Sequence, residues 1–144
     1  NFNINNIINK QSEFQTIYSL RIGSSRTELG SEKNEYTAYI IIGSKMCPFN
    51  SELTVIVKRF VELRKFANEI TKELNKIGFY PKLVHEFPYH YRLFGQLDQH
   101  KLNERKKFIN MWLQSLCEDE NIVKSQLFEN FFGFKHTNSN ININ

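Results

Sequence analysis

The feature that most constrains this fold is a single change in the period of the apolar residues, near residue 60. Before it the period is two. Phe14, Thr16, Tyr18, Leu20 and Ile22 alternate with Gln15, Ser19 and Arg21. Residues 36–42 (YTAYIII) and 53–60 (LTVIVKRF) form two more β-rich runs. Alternation of this kind suits half-buried strands. The polar stretch 23–34, with two glycines, reads as a loop, Gly43 closes the second strand, and residues 46–51 around Pro48 form a turn. Connections this short favour an antiparallel meander.

After residue 60 the period becomes helical. Leu63, Phe66, Ala67, Ile70, Leu74 and Ile77 follow the i, i+3, i+4, i+7 rule, with Gly78 as a stop and Pro81 beyond it. Residues 79–95 hold two prolines, a glycine and six aromatics, a mixture too irregular for either period, and read as an extended aromatic loop. A helix over about 102–116 follows, then a short apolar helical segment over 122–134. Strands followed by helices imply an α+β domain, here a three-stranded antiparallel β-meander packed against a helical subdomain of three to four helices.

Both ends are Asn-rich and of low complexity, and such tracts rarely build a core. The folded unit is therefore placed at residues 13–134, with poorly ordered flanks expected at 1–12 and 135–144. The first residue is Asn1 rather than Met, so a longer parent protein is expected. The net charge of +4 mildly favours anionic partners.

Several chemistries find no support. His85, His90, His100 and His136 have no metal-ligand spacing with Cys, Asp or Glu, so no metal and no cofactor is expected. Cys47 and Cys117 form no CxxC pair and read as reduced structural thiols. No phosphate-binding glycine loop, HExxH or nucleophile elbow is present, so no catalytic residues are assigned and the chain is not expected to be an enzyme. Asp98, Glu104, Glu118, Asp119 and Glu120 read as solvated charges, and Trp112 as core. No apolar run reaches the ~20 residues of a membrane span.

Two arginines are out of place. Arg105 falls in the middle of the apolar stripe formed by Leu102, Phe108, Ile109, Trp112, Leu113 and Leu116, with Lys106 at its edge and Lys107 on the far side. A guanidinium there is costly unless an internal carboxylate or an anionic ligand meets it. Arg59 continues the line of Leu53, Val55 and Val57 on one face of the third strand, where strand hands over to helix. The two flank the aromatic loop and are expected to line a common pocket.

From about residue 14 to 134 the chain resembles a PX (phox-homology) domain. The resemblance rests on Lys58-Arg59-Phe60 before the first helix, on Phe87-Pro88-Tyr89-His90 and Leu93-Phe94-Gly95 in the loop, and on Asn103-Glu104-Arg105-Lys106-Lys107 opening the next helix. It implies binding of phosphoinositides, foremost phosphatidylinositol 3-phosphate. By the resemblance Arg59 grips the 3-phosphate, Phe60 forms a floor under the inositol ring, and Arg105 hydrogen-bonds the ring hydroxyls. Lys58 supports the pocket or contacts the membrane. Where the family carries a loop lysine on the 1-phosphate, this chain has His90, with Arg92 two residues later, and either takes that role. The loop tip, with Tyr89, Tyr91, Leu93 and Phe94, is expected to dip into the bilayer. The resemblance further implies a cytoplasmic protein, peripheral on endosomal or vacuolar membranes, with an acidic membrane surface as partner, other trafficking proteins as further candidates, and no nucleic acid. The alternative is a PX-fold protein-interaction module with weak or lost lipid binding.

Overall fold

The computed structural model describes residues 16–30, 35–80, 86–91 and 98–135. Residues 1–15, 31–34, 81–85, 92–97 and 136–144 lie outside them. Three strands, β1 (Ile17–Leu29), β2 (Glu35–Cys47) and β3 (Asn50–Arg59), form one antiparallel sheet in the order β1-β2-β3. Among the described residues four helices follow: α1 (Phe60–Lys76), α2 (Gln99–Glu118), α3 (Glu120–Val123) and α4 (Gln126–Phe132). A 3-10 turn, Tyr89–Tyr91, lies between α1 and α2.

The strands are longer than the alternation suggested. The expected loop 23–34 is strand as far as Leu29, because β1 resumes pairing after a bulge between Ile22 and Ser24 and runs on to the Leu29–Glu35 pair. This end of the β1–β2 ribbon extends past β3, whose last partner is Ala38. Both faces there meet solvent, so its polar sequence masks its extended backbone. Nor does Gly43 end β2. It pairs with Leu20 on one side and Thr54 on the other. A Cβ at residue 43 would lie 2.6 Å from Thr54 Oγ1 and 2.8 Å from Phe134 Cζ. The missing side chain is what lets the Phe134 ring close against the sheet. Gly43→Ala is therefore expected to cost about 1–3 kcal/mol of stability by overpacking, measured by denaturant unfolding.

One side of the sheet carries Leu20, Ile22, Tyr39 and Ile41 into the core. The other side is solvent-facing, and this corrects the reading of β3. Leu53 is 78% exposed, and Val55 and Val57 are exposed with it. Arg59 thus continues an outward row rather than a buried one.

On α1, Leu63, Phe66, Ala67, Ile70 and Leu74 form the buried stripe. Ile77, expected to extend it, is the exposed C-cap. Gly78 follows at φ 79°, the left-handed conformation that ends helices. On α2 the buried residues are Arg105, Ile109, Trp112, Leu113, Ser115 and Leu116, while Phe108 turns partly outward. The expected last helix is two. Ser125 breaks it, its hydroxyl accepting from the Leu127 N–H at 3.2 Å and so capping α4. Two of the supposed solvated carboxylates are likewise caps: Asp98 accepts from Lys101 N at 2.8 Å and Asp119 from Asn121 N at 3.0 Å.

A buried ion pair joins the sheet to α4. Lys45 Nζ donates to Glu129 Oε2 at 2.7 Å, with the two side chains 4% and 2% exposed. It also donates to the Lys135 carbonyl at 2.7 Å. Burial presses the Lys45 pKa down, but the bond to Glu129 and the neighbouring Tyr18 outweigh it, and the value lies above the ordinary one. Cys117 is a free thiol whose pKa burial pushes up to about 12. It is expected to stay unmodified by iodoacetamide at pH 8, as peptide mass spectrometry would read, since the thiolate is the reactive form.

Candidate functional site

The site is built where β3 becomes α1. Arg59 is the N-cap of α1, with extended backbone (φ −87°, ψ 159°). The Glu62 carboxylate accepts from the Arg59 N–H at 3.0 Å, filling one orphan donor and placing a negative charge in the first turn. The junction is thereby held, and the Arg59 side chain leaves the sheet at a set angle. Its guanidinium lies 4.0 Å from the centroid of the Tyr36 ring. Tyr36 in turn donates through Oη to Glu28 Oε2 at 2.7 Å, and Arg26 binds the same carboxylate. The Tyr36 hydrogen bond first, and Arg26 next, hold the Glu28 pKa below its usual value. Arg59 is therefore propped by aromatic stacking, and its guanidinium N–H groups have no hydrogen-bond partner among the described residues.

Arg105 enters from α2, on the core side of the sheet. It is 1% exposed, as its position in the stripe implied. Its Nε donates to the Tyr39 hydroxyl at 2.8 Å, and its guanidinium lies 4.6 Å from the Phe60 ring centroid. Burial raises the Tyr39 pKa, with Arg105 opposing, so a neutral hydroxyl faces the cation. Nη1 is buried with no hydrogen-bond partner among the described residues. Of the two partners expected, an internal carboxylate or a ligand, the first is not found among the described residues. A phenol holds the guanidinium in place without neutralising it.

Phe60 joins the two arginines. It follows Arg59 in the chain and lies against Arg105 in space, with its own ring stacked on Phe87 at 5.2 Å and 29°. Phe87 passes the contact inward to Trp112 at 4.9 Å. The loop is then tied at two points. Tyr89 donates to Asn68 Oδ1 of α1 at 2.9 Å, and Tyr91 to Glu104 Oε2 of α2 at 2.6 Å. The Glu104 bond pushes the Tyr91 phenol up to about 12. Glu104, read as a solvated charge, thus helps seat the loop beside Arg105. Tyr89 and Tyr91, expected at a free tip, have their hydroxyls tethered to the two helices.

One further expectation changes. Lys58 is on the opposite face of β3 from Arg59, its ammonium 4.5 Å from the Phe131 ring centroid, and it packs on α4 rather than beside the arginines. His90 is exposed on the 3-10 turn, with its ring 4.2 Å from that of Tyr91. Arg92, Leu93 and Phe94 lie outside the described residues. Sequence reasoning missed Tyr36 and Tyr39, which hold the two arginines. Both sit in an ordinary strand pattern, and nothing local marks them.

A buried guanidinium with an orphaned donor against the Phe60 ring, and a second guanidinium on the residue next to Phe60 at the strand–helix junction, suit an anionic, hydroxyl-bearing ligand. Comparison with known proteins agrees with that class. The sequence profile described as "PX domain" matches residues 47–135. The fold is similar to crystal structures of the mouse SNX19 PX domain. With a bound sulphate ion the TM-score is 0.59 at 17% identity, and a second structure of that domain gives 0.62 at 16% identity; each match covers 84% of this chain and 100% of that one. It is also similar to a designed CISK-PX domain, with TM-score 0.58 and 18% identity over 79% of this chain and 97% of that one. Among curated proteins, none matches in sequence. By the profile match, and in agreement with the fold, the chain belongs to the PX-domain family, a family of phosphoinositide-binding, membrane-targeting modules.

Proposed function

We propose that this chain binds phosphatidylinositol 3-phosphate and so brings its parent protein to endosomal or vacuolar membranes from the cytoplasmic side, as a non-catalytic module. The observation that carries the reading is the buried Arg105, whose Nη1 has no partner although it sits beside Phe60 at the foot of Arg59. In this reading Arg59 grips the 3-phosphate through its forked donors. Arg105 supplies hydrogen bonds to the ring hydroxyls, and Phe60 offers an apolar surface to the inositol ring. His90 or Arg92 meets the 1-phosphate. Tyr89, Leu93 and Phe94 add an interfacial contact, with Tyr91 anchoring the loop behind them. Nearby cations add about 1 kcal/mol each on an anionic surface.

A second reading has its own observation. Phe60 is only 8% exposed and already stacks on Phe87, and His90 stands where the family carries lysine. Both favour a protein-interaction module with weak lipid binding and other trafficking proteins as partners. Pelleting with vesicles that each carry one phosphoinositide separates the two. Selective capture by phosphatidylinositol 3-phosphate is expected. Arg59→Ala should lower it about tenfold to a hundredfold, the worth of a charge-assisted hydrogen bond, while the melting curve is unchanged. Equal binding to every anionic vesicle, untouched by Arg59→Ala, would favour the protein-interaction reading.

A further inference from the structure

Outside the arginine site, α2 carries a second basic surface. Lys106 and Lys107 follow Arg105 directly, so the helix turns them about 100° and 200° away from it. With Asn103, Asn110 and Ile22 they line a cleft of about 350 Å³ between α2 and β1. That volume is in the range of small-ligand pockets, roughly 300–1,000 Å³.

The polar groups of this cleft are donors. Asn110 Oδ1 accepts from the Ile22 backbone N–H at 2.9 Å, at the bulge of β1. A backbone N–H requires an oxygen opposite it, so the orientation of this amide is set and its NH₂ group is left to donate. Asn103 pairs through its side-chain amide with that of Gln99 at 2.9 Å, on the exposed side of α2. Neither Lys106 nor Lys107 forms an ion pair among the described residues, although five ion pairs occur elsewhere in them. Two lysines, the Asn110 NH₂ group and the Asn103 amide therefore line one cleft with no lining carboxylate among the described residues, and Ile22 adds the apolar side chain.

We infer that this cleft is a second anion site, taking a phosphate monoester independently of Arg59 and Arg105. A phosphate carries the several acceptor oxygens that such a donor set needs, and the two ammonium groups balance its charge. The group is presented by an anionic lipid or by a soluble phosphate ester. If a lipid presents it, the domain grips the membrane at two points, one on each side of α2; this part rests on the membrane reading above.

The experiment follows the side-chain amide signals of Asn103 and Asn110 by NMR in the chain of residues 1–144, titrated with glycerol 3-phosphate. Saturable shifts are expected in the wild type and in Arg105→Leu, and at least a tenfold weaker response in K106Q/K107Q. Vesicles of phosphatidylcholine with phosphatidic acid form the second arm. Binding that falls at least fivefold in K106Q/K107Q, and not in Arg59→Ala, assigns the lipid source. Glycerol 3-phosphate shifts without that fall assign the soluble one. No shift at either amide, or shifts that survive K106Q/K107Q, would overturn the second site. Loss of phosphatidylinositol 3-phosphate binding in Arg59→Ala alone tests the first site, so the two can fail separately.

Discussion

Arg105→Leu is expected to abolish phosphoinositide binding while leaving thermal stability equal to the wild type or higher. The guanidinium is desolvated, holds one hydrogen bond to Tyr39, and leaves Nη1 unpartnered. No anion among the described residues repays that burial, so the charge stays because a ligand meets it and not because folding needs it. Removing one member of a buried charged hydrogen-bonding pair costs about 2–5 kcal/mol in complexes, here roughly a thirtyfold to several-thousandfold loss of headgroup affinity. Leu is apolar and suits the stripe, but it strands the Tyr39 hydroxyl at about 1–3 kcal/mol. The double variant Arg105→Leu/Tyr39→Phe removes both polar partners and should melt above the single one. Calorimetry and vesicle pelleting on the same samples check both halves. A fall of several kcal/mol in Arg105→Leu that Tyr39→Phe does not restore would mean that an internal anion holds the arginine.

The opposite outcome is expected for the other buried charge. Lys45→Met removes the Lys45 ammonium from the buried Glu129 carboxylate, and breaking such a pair costs about 3–5 kcal/mol. For a domain near this size that is a melting-point drop of roughly 6–20 °C. Lys45→Met/Glu129→Leu removes both charges and should recover most of the loss, while lipid binding stays intact in every variant that remains folded. The sign with pH follows from the raised Lys45 pKa. The pair's contribution is full below the ordinary lysine value of 10.5 and is lost as the pH rises through the higher folded value. Thermal melts between pH 7 and 11 should therefore show a wild-type decline, above about pH 10.5, that the double variant lacks. Equal melting temperatures for wild type and Lys45→Met at pH 7 would refute the structural role of the pair.

These two cations separate what is written locally from what is not. Arg105 was legible because a helix has a fixed period, and an arginine in phase with Ile109, Trp112 and Leu116 must go where they go. Lys45 was not. It sits in a strand beside Ser44 and Met46, and its partner is 84 residues away on a helix whose limits depend on a serine cap. No local pattern carries a contact of that range. Arg59 shows the reverse error. Alternation put it correctly in line with Leu53, Val55 and Val57, but a period of two cannot say which face of a sheet the helices will cover.

The order of the elements, the meander, the α1 stripe with Gly78 at its end and the inward placement of Arg105 all follow from periodicity and turn chemistry, so the amino-acid sequence alone determined them. The motifs at Arg59-Phe60 and Glu104-Arg105 likewise named the family before any coordinates. Only the tertiary structure decided what surrounds those motifs. It set Tyr39 against Arg105 and Tyr36 against Arg59, bound Tyr91 to Glu104, turned Lys58 onto Phe131, and opened Gly43 to the ring of Phe134. Each of these joins residues from different elements. Their pairing depends on register, on the bulge at Ile22 and on how α2 lies across β1, which are products of packing the whole core at once rather than of any single segment.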